Sequence, residues 1–325
     1  MIQQRTRSAA TAPAPVPSLA LASASPGTPV ALLLGASGAS GGPDDAAAVS
    51  ALLEAWACGV ATHVVDRASL LAARGSETAA LADASSGLDV TRPDLCVAWA
   101  RGQVAQGRRF DIVLGLRPET QPAAAETAAA LGLRGNRPDV VRTVLDAGTC
   151  RAALAAEGFL LDTEPPAAGG LAAVGVFAAG RPHIALVAAL PADGGAVRTA
   201  GLTRSEWAAV TGRACSAVHR LGLEFGVFRV DLRLTGRGVV LGSVRTTLGH
   251  DGVSALLRTA VPWLEPYGAV YDDALDRTGP LPVLPVNRPA APGPGSAAVP
   301  APPLLRLAGD PDDAADEPHL WRGID

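Results

Sequence analysis

The chain has no lysine: all 27 of its basic residues are arginine. GC-rich coding explains that bias, and the abundance of Ala, Gly and Pro agrees with it. The consequence is chemical. Schiff-base chemistry, a Walker-type lysine, a Tyr–Lys catalytic pair and a lysine clamp on ATP are excluded. Arginine keeps the charge but not the compact amine that can lose its proton. Aromatic residues are scarce at 4%, so small aliphatic side chains must build the core. Cysteine is limited to Cys58, Cys96, Cys150 and Cys215, with no C-x-x-C spacing. That pattern excludes a disulfide framework or a zinc site and reads as buried, reduced thiols. The five histidines form no H-x-x-x-H. No run approaches the roughly 18 apolar residues of a membrane span. A basic excess is also missing, for 31 acidic residues give a net charge of −4. This argues against a nucleic-acid partner. Arg5 and Arg7 imitate the start of a signal peptide, but the apolar run at 19–24 is short. A cytoplasmic protein is therefore expected.

What is present is a chain of 325 residues, 48% hydrophobic, with two Pro-rich ends. Residues 1–28 read as a disordered leader. Residues 278–325 read as a Pro-rich, acidic, disordered tail, in which Trp321 marks an alternative reading as a short docking motif. Between them lies room for about two domains. Over 29–135, strands at 29–34, 60–65 and 110–114 alternate with helices at 43–58, 93–106 and 118–131. That order predicts a parallel sheet flanked by helices. Over 136–277, helices are expected at 138–146, 149–157, 203–221 and 251–264. An apolar hairpin is expected at 171–178 and 183–190, and Thr203 and Glu206 form a capping-box pattern. Residues 225–234 alternate, with Phe228, Val230, Leu232 and Leu234 on one face and Arg229, Asp231 and Arg233 on the other. Residues 239–244 return as a second strand.

Two motif sets carry chemistry. The first strand runs into Gly35 and Gly38, which would let backbone approach an anion at a helix N-terminus. Asp66, at the end of the second strand, stands where a ribose-binding acid would lie. This is the NAD(P) reading of a Rossmann-like turn. The spacing is G-x-x-G, and the short-chain reductases that it suggests need a lysine. The bland alternative is a tight strand-to-helix turn.

A second set covers more of the chain. Residues 110–119 (FDIVLGLRPE), 131–142 (LGLRGNRPDVVR), 146–158 (DAGTCRAALAAEG) and 230–241 (VDLRLTGRGVVL) stand in this order. Together they resemble the ATP-grasp superfamily, in particular its carboxylate–amine ligases and biotin-carboxylase-like members. The resemblance implies a Rossmann-like pre-ATP-grasp domain (29–135) followed by a truncated α+β ATP-grasp-like domain (136–277). It implies ATP and Mg²⁺ as cofactors, Glu119 and Arg151 at family positions, and Asp231 as the first acidic metal ligand.

The departures are equally specific. Ala147 stands where the family has the lysine of its "DK" motif. A lysine-bearing strand and a Gly-rich phosphate loop are deleted near 158–170. The family's metal-binding "EVNPR" is replaced by residues 243–247 (SVRTT). One Asp is a poor Mg²⁺ site, because Mg²⁺ requires near-octahedral oxygen ligation. Two readings of the arginines remain: Arg229, Arg233 and Arg245 hold phosphate oxygens, or Arg245 pairs with Asp231 where a metal once sat. The expectation is a degenerate homologue without ligase activity, acting as a binding or regulatory partner. Its counterpart would be an active ATP-grasp paralogue or a second copy in a homodimer. A divergent ligase is the alternative. His250 and Asp251 form an apparent dyad that reads better as a helix cap.

Overall fold

The computed structural model describes residues 27–36, 43–72, 77–162, 170–191, 195–248, 252–262 and 264–277. The expected leader and tail, Gly38, most of the deletion site and the His250–Asp251 pair lie outside the described residues. So does Trp321.

Apolar residues between Pro29 and Gly35 form β1 (Val30–Leu34) at the centre of a parallel sheet. β2 (Ala61–Asp66), β3 (Ala84–Gly87) and β4 (Ile112–Gly115) complete it in the order β3-β2-β1-β4. α1 (Pro43–Ala57), α2 (Ala68–Leu71), α3 (Glu77–Leu81) and α4 (Pro93–Ala105) provide the crossovers. Registers such as Leu32↔His63 and Leu32↔Val113 are parallel throughout. The helix expected at 118–131 is divided. A 3-10 turn at Pro118–Thr120 precedes α5 (Gln121–Leu131). Pro122 has no N–H to continue the first turn.

Asn136 links the halves. Its side-chain amide donates to Phe225 O at 2.8 Å, and its Oδ1 accepts from the N–H groups of Glu224 and Phe225. α6 (Pro138–Leu145) and α7 (Ala147–Ala156) follow, with Asp146 Oδ1 accepting from Thr149 N at 2.7 Å to cap α7. An antiparallel sheet is then built from β5 (Leu171–Ala178), β6 (Arg181–Ala189), β7 (Arg198–Thr199), β8 (Val227–Thr235) and β9 (Gly238–Arg245). Its order is β7-β6-β5-β8-β9. α8 (Arg204–Arg220) starts at the expected capping box.

The closing helix expected at 251–264 is shorter, and a further helix that the sequence did not suggest follows it. α9 (Val253–Ala260) stops before Pro262, and α10 (Pro266–Ala274) restarts at Pro266. α10 carries both tyrosines of the chain, and both are buried. Tyr271 donates its hydroxyl to Ala51 O in α1 at 2.8 Å. One core therefore joins Leu33, Ala51 and Leu52 of the first layer to Val174, Val176 and Leu186 of the second. A second core, between α6–α8 and the other sheet face, takes Phe228, Val230 and Leu232 as the alternation predicts.

Candidate functional site

The site is built on neighbouring strands. An irregularity between Asp231 and Leu232 sets Asp231 of β8 opposite Ser243 of β9, and Arg229 opposite Arg245. Asp231 is fully buried and Arg229 is 2% exposed. Arg229 Nε donates to Asp231 Oδ1 at 2.6 Å. Ser243 Oγ donates to Asp231 Oδ2 at 2.7 Å, and Arg245 Nη2 lies 3.4 Å from the same oxygen. Ser243 and Arg245 both lie in the 243–247 segment that the sequence sets against the resembled metal motif. In this chain they complete the coordination of an acid instead of a cation.

This donor set does not fit Mg²⁺. Both oxygens of Asp231 are engaged inside the protein, and two guanidinium groups flank the position. Mg²⁺ needs several free oxygens in near-octahedral geometry. Among the described residues no group of three or more His, Cys, Asp or Glu side chains is placed to hold a metal.

Beside the cluster is a cavity of about 360 Å³ between the α6–α7 corner, Pro118 and the 242–247 segment. Val144, Leu145, Cys150 and Val244 give it apolar walls. Ala147 also lines it, as do Arg151 and Arg245. Burial pushes the Cys150 thiol pKa up, so that group is neutral. Arg151 donates Nη2 to Asp162 O at 2.5 Å, and Arg233 pairs with the Asp162 carboxylate at 3.0 Å. Thr246 also lines the cavity, and its buried Oγ1 has no hydrogen-bond partner among the described residues.

The residues of the first sheet form a second group around Asp66 and Arg117. Gly35 has φ +75°, and a Cβ there would meet Thr120 Cγ2. Asp66 is fully buried, and Arg117 Nη2 donates to both its oxygens at 3.0 and 3.2 Å. The Arg67 N–H adds a third bond at 2.8 Å. Arg117 also pairs with the half-exposed Glu119 at 3.1 Å. Asp66 thus ties the end of β2 to the turn after β4. Sequence reasoning did not identify Arg117, Ser243 or Thr246. For Arg117 a signal exists, since a cation following β4 lies beside an acid ending β2 once both strands flank β1.

No protein-family model matches the sequence, and no curated protein matches it significantly. Solved structures do share the fold. An L-amino acid ligase from Bacillus licheniformis superposes with a TM-score of 0.62 at 15% identity, over 76% of this chain and 74% of that one. A phosphoribosylglycinamide synthetase from Anaerococcus prevotii gives 0.60 at 12% identity, over 77% and 75%. A carboxyaminoimidazole ribonucleotide synthase from Aspergillus clavatus, complexed with ATP, gives 0.59 at 11%, over 78% of each chain. The architecture is therefore the ATP-grasp fold, with a parallel α/β layer leading into an antiparallel α+β layer. Within that class this chain is a shortened form without lysine. Among its described residues no helix is long and apolar enough to cross a membrane.

Proposed function

We propose that the chain is an ATP-grasp homologue that has lost ligase activity and acts as a binding or regulatory partner. The observation that carries this reading is the closure of Asp231 by Arg229, Ser243 and Arg245. The neighbours' fold supports a common origin. The absence of lysine and the Ala at 147 remove the cations that would hold a triphosphate. Without metal or lysine, charge developing in phosphoryl transfer has little to stabilise it, and such losses cost orders of magnitude in rate. The partner is an active ATP-grasp paralogue or a second copy of this chain. An exposed apolar pair on α1, Trp56 at 82% and Leu53 at 50%, supports a contact surface there.

The test is calorimetric titration of Mg-ATP into the full chain, with and without EDTA, together with an assay for ADP release. We expect no metal-dependent binding at micromolar levels and no turnover with carboxylate and amine mixtures. Metal-dependent heat accompanied by ADP formation would replace this reading with that of a divergent ligase.

A further inference from the structure

We propose that residues 280–286 (PLPVLPV) fold back over α1 and cover Leu53 and Trp56, so that a partner using this face must displace a segment of the same chain. The inference rests on the preceding reading in taking α1 as a contact surface, and adds how access to it is controlled. The helix itself is the first observation. Over 46–57 its only charged residue is Glu54, whose carboxylate is turned to the N–H groups of Tyr267 and Gly268 in α10. Ala48, Ala51, Leu52 and Ala55 are buried in the core. The half-buried Val49 and the exposed Leu53 and Trp56 form a second apolar stripe at i, i+4 and i+7, turned outward. Leu81 of α3, a helix packed on α1, is exposed as well. A helix that is apolar on both sides is normally a covered one.

The second observation is where the chain leaves α10. Asp276 has φ +53°, its N–H donates to Asp273 O at 3.3 Å, and the Arg277 N–H donates to Asp272 O at 2.8 Å. This is a Schellman turn, which ends the helix and sets the direction of the residues after it. Arg277 Nη1 then donates to Cys58 O at 3.1 Å, two residues beyond Trp56. Residue 278 therefore starts beside the C-terminal end of α1. Leu53 and Trp56 lie across that helix from Ala51, Glu54 and Cys58, which meet α10. At about 3.1 Å per residue an extended chain covers about 28 Å over 278–286, against a helix diameter of roughly 10–12 Å. The segment also has the right chemistry. It carries no charge, Pro282 and Pro285 have P-x-x-P spacing, and Leu281 and Leu284 share one edge at three residues per turn. Such segments dock on aromatic side chains. A tether this short holds the segment at roughly millimolar effective concentration, so a weak contact suffices and no second molecule is needed.

The experiment labels the full chain with fluorotryptophan and reads the fluorine resonance of Trp56, identified by its loss in Trp56→Phe, in light and heavy water. The solvent isotope shift reports how exposed each indole is. A small shift is expected for Trp56 in the wild type. Leu281→Asp combined with Leu284→Asp should raise it towards that of a free indole, with the Trp99 and Trp207 resonances and the thermal midpoint unchanged. Arg277→Gln, which removes the anchor on α1, should raise it by less. A wild-type Trp56 shift already equal to that of a free indole, or one that the double variant leaves unaltered, would overturn the proposal. So would a shift that falls with rising protein concentration as a dimer forms in sedimentation, for the occupant would then be a second copy. ADP formation from Mg-ATP would remove the loss-of-activity reading and leave the strap standing, whereas an unaltered Trp56 resonance would remove only the strap.

Discussion

At the scale of single residues, two buried titrating groups act in opposite directions. Glu54 of α1 accepts the N–H groups of Tyr267 and Gly268 at 2.7 and 2.9 Å, donors that the first turn of α10 leaves unpaired. Burial nevertheless pushes its pKa from 4.5 up to about 7. His63, enclosed by Trp99 and Phe110 with Nε2 2.9 Å from Ser86 Oγ, is pushed from 6.5 down to about 4 by burial and by Arg108. The native state prefers both groups uncharged. For His63, stability is complete above pH 6.5 and is lost as pH falls towards 4, because the unfolded chain takes up the proton first. For Glu54, stability is complete below pH 4.5 and is lost as pH rises towards 7. These two contributions nearly cancel across pH 5–7. The Glu54→Gln variant keeps an acceptor and removes one of them. Its urea-unfolding free energy should rise by about 2 kcal/mol relative to wild type between pH 5 and 7, since one pKa unit corresponds to about 1.4 kcal/mol. Parallel pH profiles for the two proteins would refute this.

At the scale of elements, close approaches fix how strands pack. Gly175 sits at an irregularity of β5, and a Cβ there would overlap the His183 carbonyl oxygen and the Phe228 ring. Gly102, within α4, has nothing within 4 Å of such a Cβ. Substitution by alanine should therefore act with opposite signs. Gly175→Ala should destabilise by about 3 kcal/mol through overpacking. Gly102→Ala should stabilise by about 0.5–1 kcal/mol, because alanine restricts the unfolded chain and suits a helix. Thermal melts of both variants give the comparison. Legibility varied among elements for equally local reasons. β1, α8 and the β5–β6 hairpin were readable because their apolar runs or caps lie within a few residues. β3, with sequence ASSG, carries no apolar signal. It is a strand only because β2 offers it a parallel edge, with His63↔Ala84 the first pair. α10 lies beyond the helix expected at 251–264, and Pro262 and Pro266 interrupt any helical pattern that would have carried through to it.

At the scale of the molecule, α10 holds the layers together. It packs between α1 and β5, and Arg134 reaches from the link after α5 to Asp273 at 3.4 Å. Asp273 Oδ1 in turn accepts the Ala179 N–H of the β5–β6 turn at 2.6 Å. These contacts are made between protein groups, and the Asp231 donor set does not fit Mg²⁺. The thermal midpoint of the full chain should therefore be the same with excess Mg²⁺ as with EDTA. A rise with Mg²⁺ would show a metal bound preferentially to the native state.

The sequence by itself determined the alternation of elements, the lack of any lysine chemistry and the order of motifs that resembles the ATP-grasp superfamily. These are properties of composition and of neighbouring residues. It also supplied Asp231 and Arg245 as a candidate pair, because their positions in the resembled motifs were visible. Only the tertiary structure decided that Ser243 and Arg229 join them, that Asp66 is held by Arg117, and that Thr246 is left with a buried hydroxyl beside a cavity. Each of those facts depends on strand register and on which groups burial strips of water. Both are set by the packing of segments tens of residues apart, a relation that local spacing does not encode.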